Sequence, residues 1–189
     1  MMKKLMIDLD DVIFSSECWI NIVNEFLNSN YTFEDVEGYY VDDLVPNELK
    51  EDFINYLVSK NIYNYGRIYD DAINVIKKLN KKYEIYICTA YVFRNHISYS
   101  AESLKIKFNF ITKNFPFLNP KNIIFVGDKS IINCDIKIDD KISNLACAET
   151  KILYKAYHNK DMDKDKLKQD GIIMVNSWKE IERILLEEV

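Results

Sequence analysis

Lys3-Lys4-Leu5-Met6-Ile7-Asp8-Leu9-Asp10-Asp11-Val12 is the stretch whose reading decides the fold. Three apolar residues behind two lysines read as a short buried strand that runs straight into carboxylates. Side chains alternate across a strand, so Asp8 and Asp10 are expected to leave it on the same side. A carboxylate at a strand end can ligate a hard cation or attack an electrophile, and a neighbour can move a proton. Asp also favours turns, so an Asp-rich turn after a strand decides nothing by itself.

Working outward, apolar positions recur at helical spacing from about Glu17 to Leu27, with Trp19 and Phe26 expected in the core. A second helix follows Pro46, with Leu49, Phe53, Ile54 and Leu57 on one face, and residues 61–69 read as a connector. Beyond Asp70 the pattern changes. Helices are expected over Ala72–Leu79, Ser98–Phe115 and Trp178–Leu186. Strands are expected over Tyr83–Cys88 ending at Thr89, and over 122–126 ending in Gly127-Asp128-Lys129. Three more follow: Ile136–Ile138 ending in Asp139-Asp140, Lys151–Leu153, and Gly171–Val175. The Lys-Asp alternation from Asp161 to Lys168 reads as a solvated loop. Alternating strands and helices predict an α/β fold, a Rossmann-like parallel sheet flanked by helices. Residues 1–14 and 70–189 form its core domain, and residues 15–69 are an insertion after the first strand.

Ligands in such a sheet collect outside the carboxyl ends of the strands, where Asp8, Thr89, Lys129 and Asp139-Asp140 are all expected. Thr89 offers a hydroxyl to a phosphate oxygen, although a strand-end Thr also serves as a cap. Asp139-Asp140 would bring two more carboxylates beside Asp8, and a cation among them relieves their repulsion. Oxygen ligands few in number suit magnesium, which keeps several waters. Lys129 and Lys107 are the candidate cations for a transferring phosphate. His96 and His158, the two histidines, accompany no Ser or Cys motif, which excludes a His-based triad.

Composition narrows the classes further. Of 189 residues, 48% are hydrophobic and 29% charged, an ordinary folded balance. The net charge of −5, with no basic stripe, argues against a nucleic-acid polymer as partner. Cys18, Cys88, Cys134 and Cys147 form no C-x-x-C pair and read as reduced thiols of a cytoplasmic protein. No apolar run approaches the ~20 residues that span a bilayer, so no membrane partner is expected.

Taken jointly, strand–DxD, strand–Thr, Lys and strand–DD resemble the haloacid-dehalogenase-like phosphatases. More narrowly, the chain is similar to the cytosolic-type 5′(3′)-deoxyribonucleotidases and their bacterial relatives. The resemblance rests on Asp8-Leu9-Asp10-Asp11-Val12, Ile87-Cys88-Thr89-Ala90, Phe115-Pro116-Phe117, Gly127-Asp128-Lys129-Ser130, Asp135-Ile136-Lys137-Ile138-Asp139-Asp140, Ala156-Tyr157-His158-Asn159 and Ser177-Trp178-Lys179.

It implies Asp8 as nucleophile, and Asp10 as general acid and then base, with its backbone carbonyl on Mg2+. It implies Thr89 and Lys107 on the phosphate, Lys129 as an auxiliary cation, Asp140 as metal ligand and Asp139 in support. Residues 15–69 would be a small helical cap, with Phe33, Tyr39, Tyr40, Tyr63 and Tyr65 as aromatic candidates for a nucleobase, Tyr39 and Tyr40 foremost. His158 is expected to be structural.

Three positions depart from the pattern. Asp11 stands where members often carry Gly, Ala90 where animal enzymes have Ser, and Ser16 where they have a base-stacking aromatic. The implied activity is magnesium-dependent hydrolysis of a nucleoside monophosphate through an aspartyl phosphate. The alternatives are another small phosphometabolite as substrate, or a receiver-like phospho-acceptor module. A homodimer is one assembly compatible with the sequence.

Overall fold

A computed structural model describes residues 2–93 and 97–187. Its strands are β1 (Lys4–Ile7), β2 (Glu84–Thr89), β3 (Ile123–Phe125), β4 (Cys134–Asp139), β5 (Ala148–Tyr154) and β6 (Ile172–Val175). They form one sheet, ordered β3-β2-β1-β4-β5-β6, with every neighbour parallel. The expected Rossmann-like α/β fold is the fold observed. The chain builds β2 and β3 on one side of β1 and then crosses to β4 on the other. In open α/β sheets such a switch, here at the carboxyl end of β1, is where a ligand crevice is expected. Ile7 pairs with both Ile87 and Ile138, so Asp8, Thr89 and Asp139 emerge at nearly one level.

The helices are α1 (Glu17–Leu27), α2 (Lys50–Ser59), α3 (Ala72–Leu79), α4 (Ser100–Asn114), α5 (Lys164–Gln169) and α6 (Trp178–Glu182). In α3, Ala72, Val75, Ile76 and Leu79 recur at helical spacing and are all buried. Helix α1 ends where Asn28 enters the left-handed region at φ 50° and its N–H bonds the Asn24 carbonyl. Helix α4 stops before Pro116, which has no N–H to continue the ladder.

Helix α5 corrects the expectation of a solvated loop over 161–168. Asp163 caps it by accepting from the N–H groups of Asp165 and Lys166, and Leu167 anchors it in a small apolar cluster. One buried residue in six is too sparse a stripe to show as periodicity.

The main core lies on the sheet and includes Leu5, Ile7, Ile87, Ile138, Phe115 and Trp178. Trp178 also donates from Nε1 to the Val12 carbonyl at 2.8 Å, tying α6 to the turn after β1. A second apolar cluster belongs to the insertion: Ile20, Ile22, Val23, Val41, Val45, Phe53, Ile54 and Leu57. Trp19, Ile62 and Tyr65 touch both clusters. Trp19 and Phe26 pack as expected, Phe26 edge-on to Phe53 at 5.3 Å.

Gly66 lies where a Cβ would sit 2.7 Å and 2.9 Å from the Phe14 ring and 3.0 Å from the Cys18 Cβ. Phe14 cannot yield, because it is edge-on to Tyr63 at 4.8 Å and to Phe110 at 5.1 Å. Gly66→Ala is therefore expected to destabilise the protein by about 1–3 kcal/mol through overpacking. The measurement is the urea midpoint, and an unchanged midpoint would contradict this account of the packing.

Candidate active site

Asp8 leaves the end of β1 with its N–H on the Ile138 carbonyl at 3.0 Å, which fixes it against β4. The expectation that Asp10 would share the strand's pleat with it is corrected. Strand β1 ends at Ile7, because the Leu9 carbonyl accepts from both Ile13 and Phe14 N–H at 2.9 Å and turns the chain. Asp8 and Asp10 therefore face different partners.

Asp8 Oδ1 accepts from the Leu9 N–H at 2.6 Å, and Oδ2 pairs with Lys129 Nζ. Lys129 also donates to Asp139 Oδ2 at 2.9 Å. Asp139 Oδ1 accepts from the Asn144 amide at 2.9 Å and the Lys141 N–H at 3.0 Å, so both its oxygens are engaged. One oxygen each from Asp8, Asp139 and Asp140 lie within 4.8 Å of one another. All four side chains are buried.

Burial, with Asp139, Asp140 and Asp10 nearby, pushes the Asp8 carboxyl well above the usual range despite Lys129. Burial and Asp139 do the same to Asp140. Burial works to lower Lys129, but Asp8 and Asp139 outweigh it and push the ammonium up. Three carboxylates against one ammonium leave excess negative charge in a dry site, and an all-oxygen donor set suits a hard divalent cation.

Asp10 heads the other half of the crevice. Its Oδ2 pairs with Lys107 Nζ and lies 3.4 Å from Thr89 Oγ1, and its Oδ1 accepts from the Tyr63 hydroxyl at 3.0 Å. Burial raises the Asp10 carboxyl, but Lys107 and Tyr63 outweigh it and hold the group below the usual range. Lys107 also donates to Thr89 Oγ1 at 3.0 Å and to the Ala90 carbonyl at 2.7 Å. Every predicted core residue, Asp8, Asp10, Thr89, Lys107, Lys129, Asp139 and Asp140, thus meets around one crevice.

His158, expected to be structural, places its Nε2 2.7 Å from Asp140 Oδ2. The adjacent Asn159 places it: its amide donates to the carbonyls of Asp140 at 2.8 Å and Tyr154 at 2.9 Å. Tyr63, one of the aromatic candidates for a nucleobase, is a buried hydrogen-bond donor to Asp10. Lys137 carried no site signal at all. Fully buried in β4, it donates to the carbonyls of Lys129 and Asn144, both at 3.1 Å, and of Ala146 at 2.6 Å.

Tyr39 and Tyr40 are partly exposed. The Tyr39 ring meets His158 at 4.7 Å, and Lys141 Nζ lies 5.0 Å from its centroid. Phe33 stacks on Tyr157 at 4.5 Å, and Tyr65 donates to Glu25 at 3.1 Å. Ser16 sits buried before α1 and donates its N–H to Asp11 Oδ1 at 3.1 Å. His96 falls outside the described residues.

Asp11 adopts φ 58°, in the left-handed region that glycine favours, and its side chain is buried. Burial pushes its carboxyl up to about 6. A raised carboxyl contributes stability below its unfolded pKa and loses it as pH rises through about 6. Asp11→Asn keeps the left-handed preference and removes the buried charge. With a chelator present, it is expected to raise stability at pH 8 by about 2–3 kcal/mol and to leave it unchanged near pH 4. Urea unfolding at both pH values checks this, and a gain of equal size at pH 4 would sink it.

The model of the family described as 5′ nucleotidase, deoxy (pyrimidine), cytosolic type C protein matches residues 2–188. The 5′(3′)-deoxyribonucleotidase of Bacillus subtilis (strain 168) is 32% identical over 98% of this chain and 100% of its own length. The protein of the same description from Bacillus phage SPbeta matches at 32% identity, with 98% and 100% covered. Among solved structures, the magnesium-bound Bacillus subtilis HAD-hydrolase YfnB superposes with a TM-score of 0.58 at 14% identity, covering 98% of this chain and 99% of that one. The match to nucleotidases along the whole chain sets aside a receiver-like module. No helix among the described residues is long and apolar enough to cross a membrane. The chain therefore belongs to the family of 5′ nucleotidase, deoxy (pyrimidine), cytosolic type C proteins, and it is a phosphatase on the haloacid-dehalogenase-like fold.

Proposed function

We propose that the protein is a magnesium-dependent 5′(3′)-deoxyribonucleotidase that works through a phosphoaspartate at Asp8. The observation that carries this reading is the meeting of Asp8, Asp139 and Asp140 oxygens within 4.8 Å, beside the Asp10, Thr89 and Lys107 group. Magnesium on the Asp8 and Asp140 carboxylates and the Asp10 carbonyl would neutralise charge between the nucleophile and the phosphate. The magnesium-bound YfnB supports that choice of ion.

This chain's residues would then divide the work. Thr89 and Lys107 hold the phosphoryl oxygens, and Lys129 orients Asp8 and favours its ionised form, which the metal ion would complete. Lys107, turning from Asp10 to the phosphoryl oxygens, lets Asp10 take up a proton; an Asp8 oxygen then forms a bond to phosphorus while the ester P–O bond breaks, and the leaving oxygen takes that proton from Asp10. Asp10, now a carboxylate, takes a proton from the water that attacks the acyl phosphate, releasing inorganic phosphate and restoring Asp8. Residues 15–69, with their own apolar cluster, act as the cap that excludes water. Tyr39 and Tyr40, at the rim beside His158, are the proposed base contacts.

The test is phosphate release from ribo- and deoxyribonucleoside monophosphates and from sugar phosphates, with magnesium and with chelator. Deoxyribonucleotides are expected to turn over fastest, and only with the ion. Equal turnover of sugar phosphates would move the reading to another small phosphometabolite.

A further inference from the structure

Both oxygens of Asp10 are held, and one holder comes from the far end of the insertion. Tyr63 lies in the short turn Ile62–Asn64 that leads back to the core, and its hydroxyl donates to Asp10 Oδ1 at 3.0 Å. Its ring is immobilised. It stacks on Phe110 at 4.1 Å with planes 20° apart, and Phe14 meets it edge-on at 4.8 Å. Phe110 is three residues beyond Lys107 on α4, so both lie on one face of that helix. One helix face thus sets both restraints on Asp10: Lys107 on Oδ2 directly, and Phe110 on Oδ1 through the phenol. Burial and the Asp10 charge push the Tyr63 phenol up, so it keeps its proton and can only donate here.

We infer that Tyr63 is a positioning residue, which fixes the Asp10 carboxyl for proton delivery to the leaving ester oxygen. With Oδ1 committed to the phenol, Oδ2 is the oxygen turned toward Thr89 and Lys107, where the phosphoryl group is proposed to sit. Once the phosphoryl group draws Lys107 onto its own oxygens, Asp10 Oδ2 is released from the ion pair and takes up a proton; as Asp8 bonds to phosphorus, the electron pair of the breaking P–O bond stays on the ester oxygen, and that proton moves to it. Without the phenol the carboxyl can rotate, and a misoriented acid loses about tenfold to a hundredfold in rate.

This inference rests on Asp10 being the acid, so the test separates the two claims. It compares kcat/KM, which covers the steps through departure of the leaving group, for a nucleoside monophosphate and for p-nitrophenyl phosphate. The alkoxide of a nucleotide needs a proton to leave, and p-nitrophenolate does not. Tyr63→Phe, which removes one oxygen and keeps the ring stack, is expected to lower kcat/KM on the nucleotide about tenfold to a hundredfold, and on the aryl ester less than about threefold. Asp10→Asn should show the same selectivity more strongly. Equal loss on both substrates in Tyr63→Phe, as a merely structural defect would give, overturns the inference. So does wild-type behaviour on both. If Asp10→Asn itself shows no selectivity between the esters, the assignment of Asp10 as the acid falls instead.

Discussion

Asp8→Asn is expected to give a folded protein that releases no phosphate, a loss on the order of 10⁴-fold or more, because the amide cannot form the acyl phosphate. Folding should survive for a reason visible in the site. Burial and neighbouring carboxylates already penalise the ionised form of Asp8, so the neutral side chain costs little. Lys129 keeps its bond to Asp139 at 2.9 Å and is not left buried without a partner. Circular dichroism and urea unfolding report the fold, and phosphate release reports the chemistry. Retained turnover in a folded variant would rule out the covalent route.

Asp10→Asn should be the next most damaging change, lowering kcat on nucleotides by about 10²–10⁴-fold. Every other carboxylate in the crevice is committed. Asp8 is the proposed nucleophile, Asp139 has both oxygens bonded, Asp140 is paired with His158, and Asp11 accepts from the Ser16 N–H beside them. Asparagine can still accept from Tyr63, so the local shape is expected to persist while the transferable proton is lost. With p-nitrophenyl phosphate the first step needs no acid, but breakdown of the phosphoenzyme still needs a base for water. Phosphorylated Asp8 should therefore accumulate in this variant and be visible by intact-protein mass spectrometry. Nucleotide turnover within threefold of wild type would remove Asp10 from the mechanism.

What the sequence reveals and what it hides divide along physical lines. Helices α1 and α3 could be read because their apolar stripes are wide and buried, and β1 because it is apolar on both faces. Strand-end carboxylates could be read because a parallel sheet sends all its carboxyl ends to one edge. The contacts that join distant segments had no local trace. Tyr63 meets Asp10 across 53 positions, and an aromatic ring in a connector carries no sign of that partner. His158 meets Asp140 across 18, and a lone histidine without a Ser or Cys partner points to no particular contact. Asp11 had a usable signal, since a residue standing where relatives carry Gly is a cue to the left-handed backbone it adopts at φ 58°. Lys137 was invisible because a lysine in a lysine-rich chain reads as solvated.

Lys137 has a consequence for how the crevice keeps its shape. Its ammonium, donating to three carbonyls from two loops, does the work of a permanently bound structural cation that cannot be dialysed away. The loops carrying Lys129 and Asn144 are therefore stitched together by the chain itself, whatever ion occupies the carboxylates in front of them. For the magnesium-dependent catalyst proposed above, a chelator would stop turnover without loosening this back wall, and restoring the ion would restart a site that never came apart.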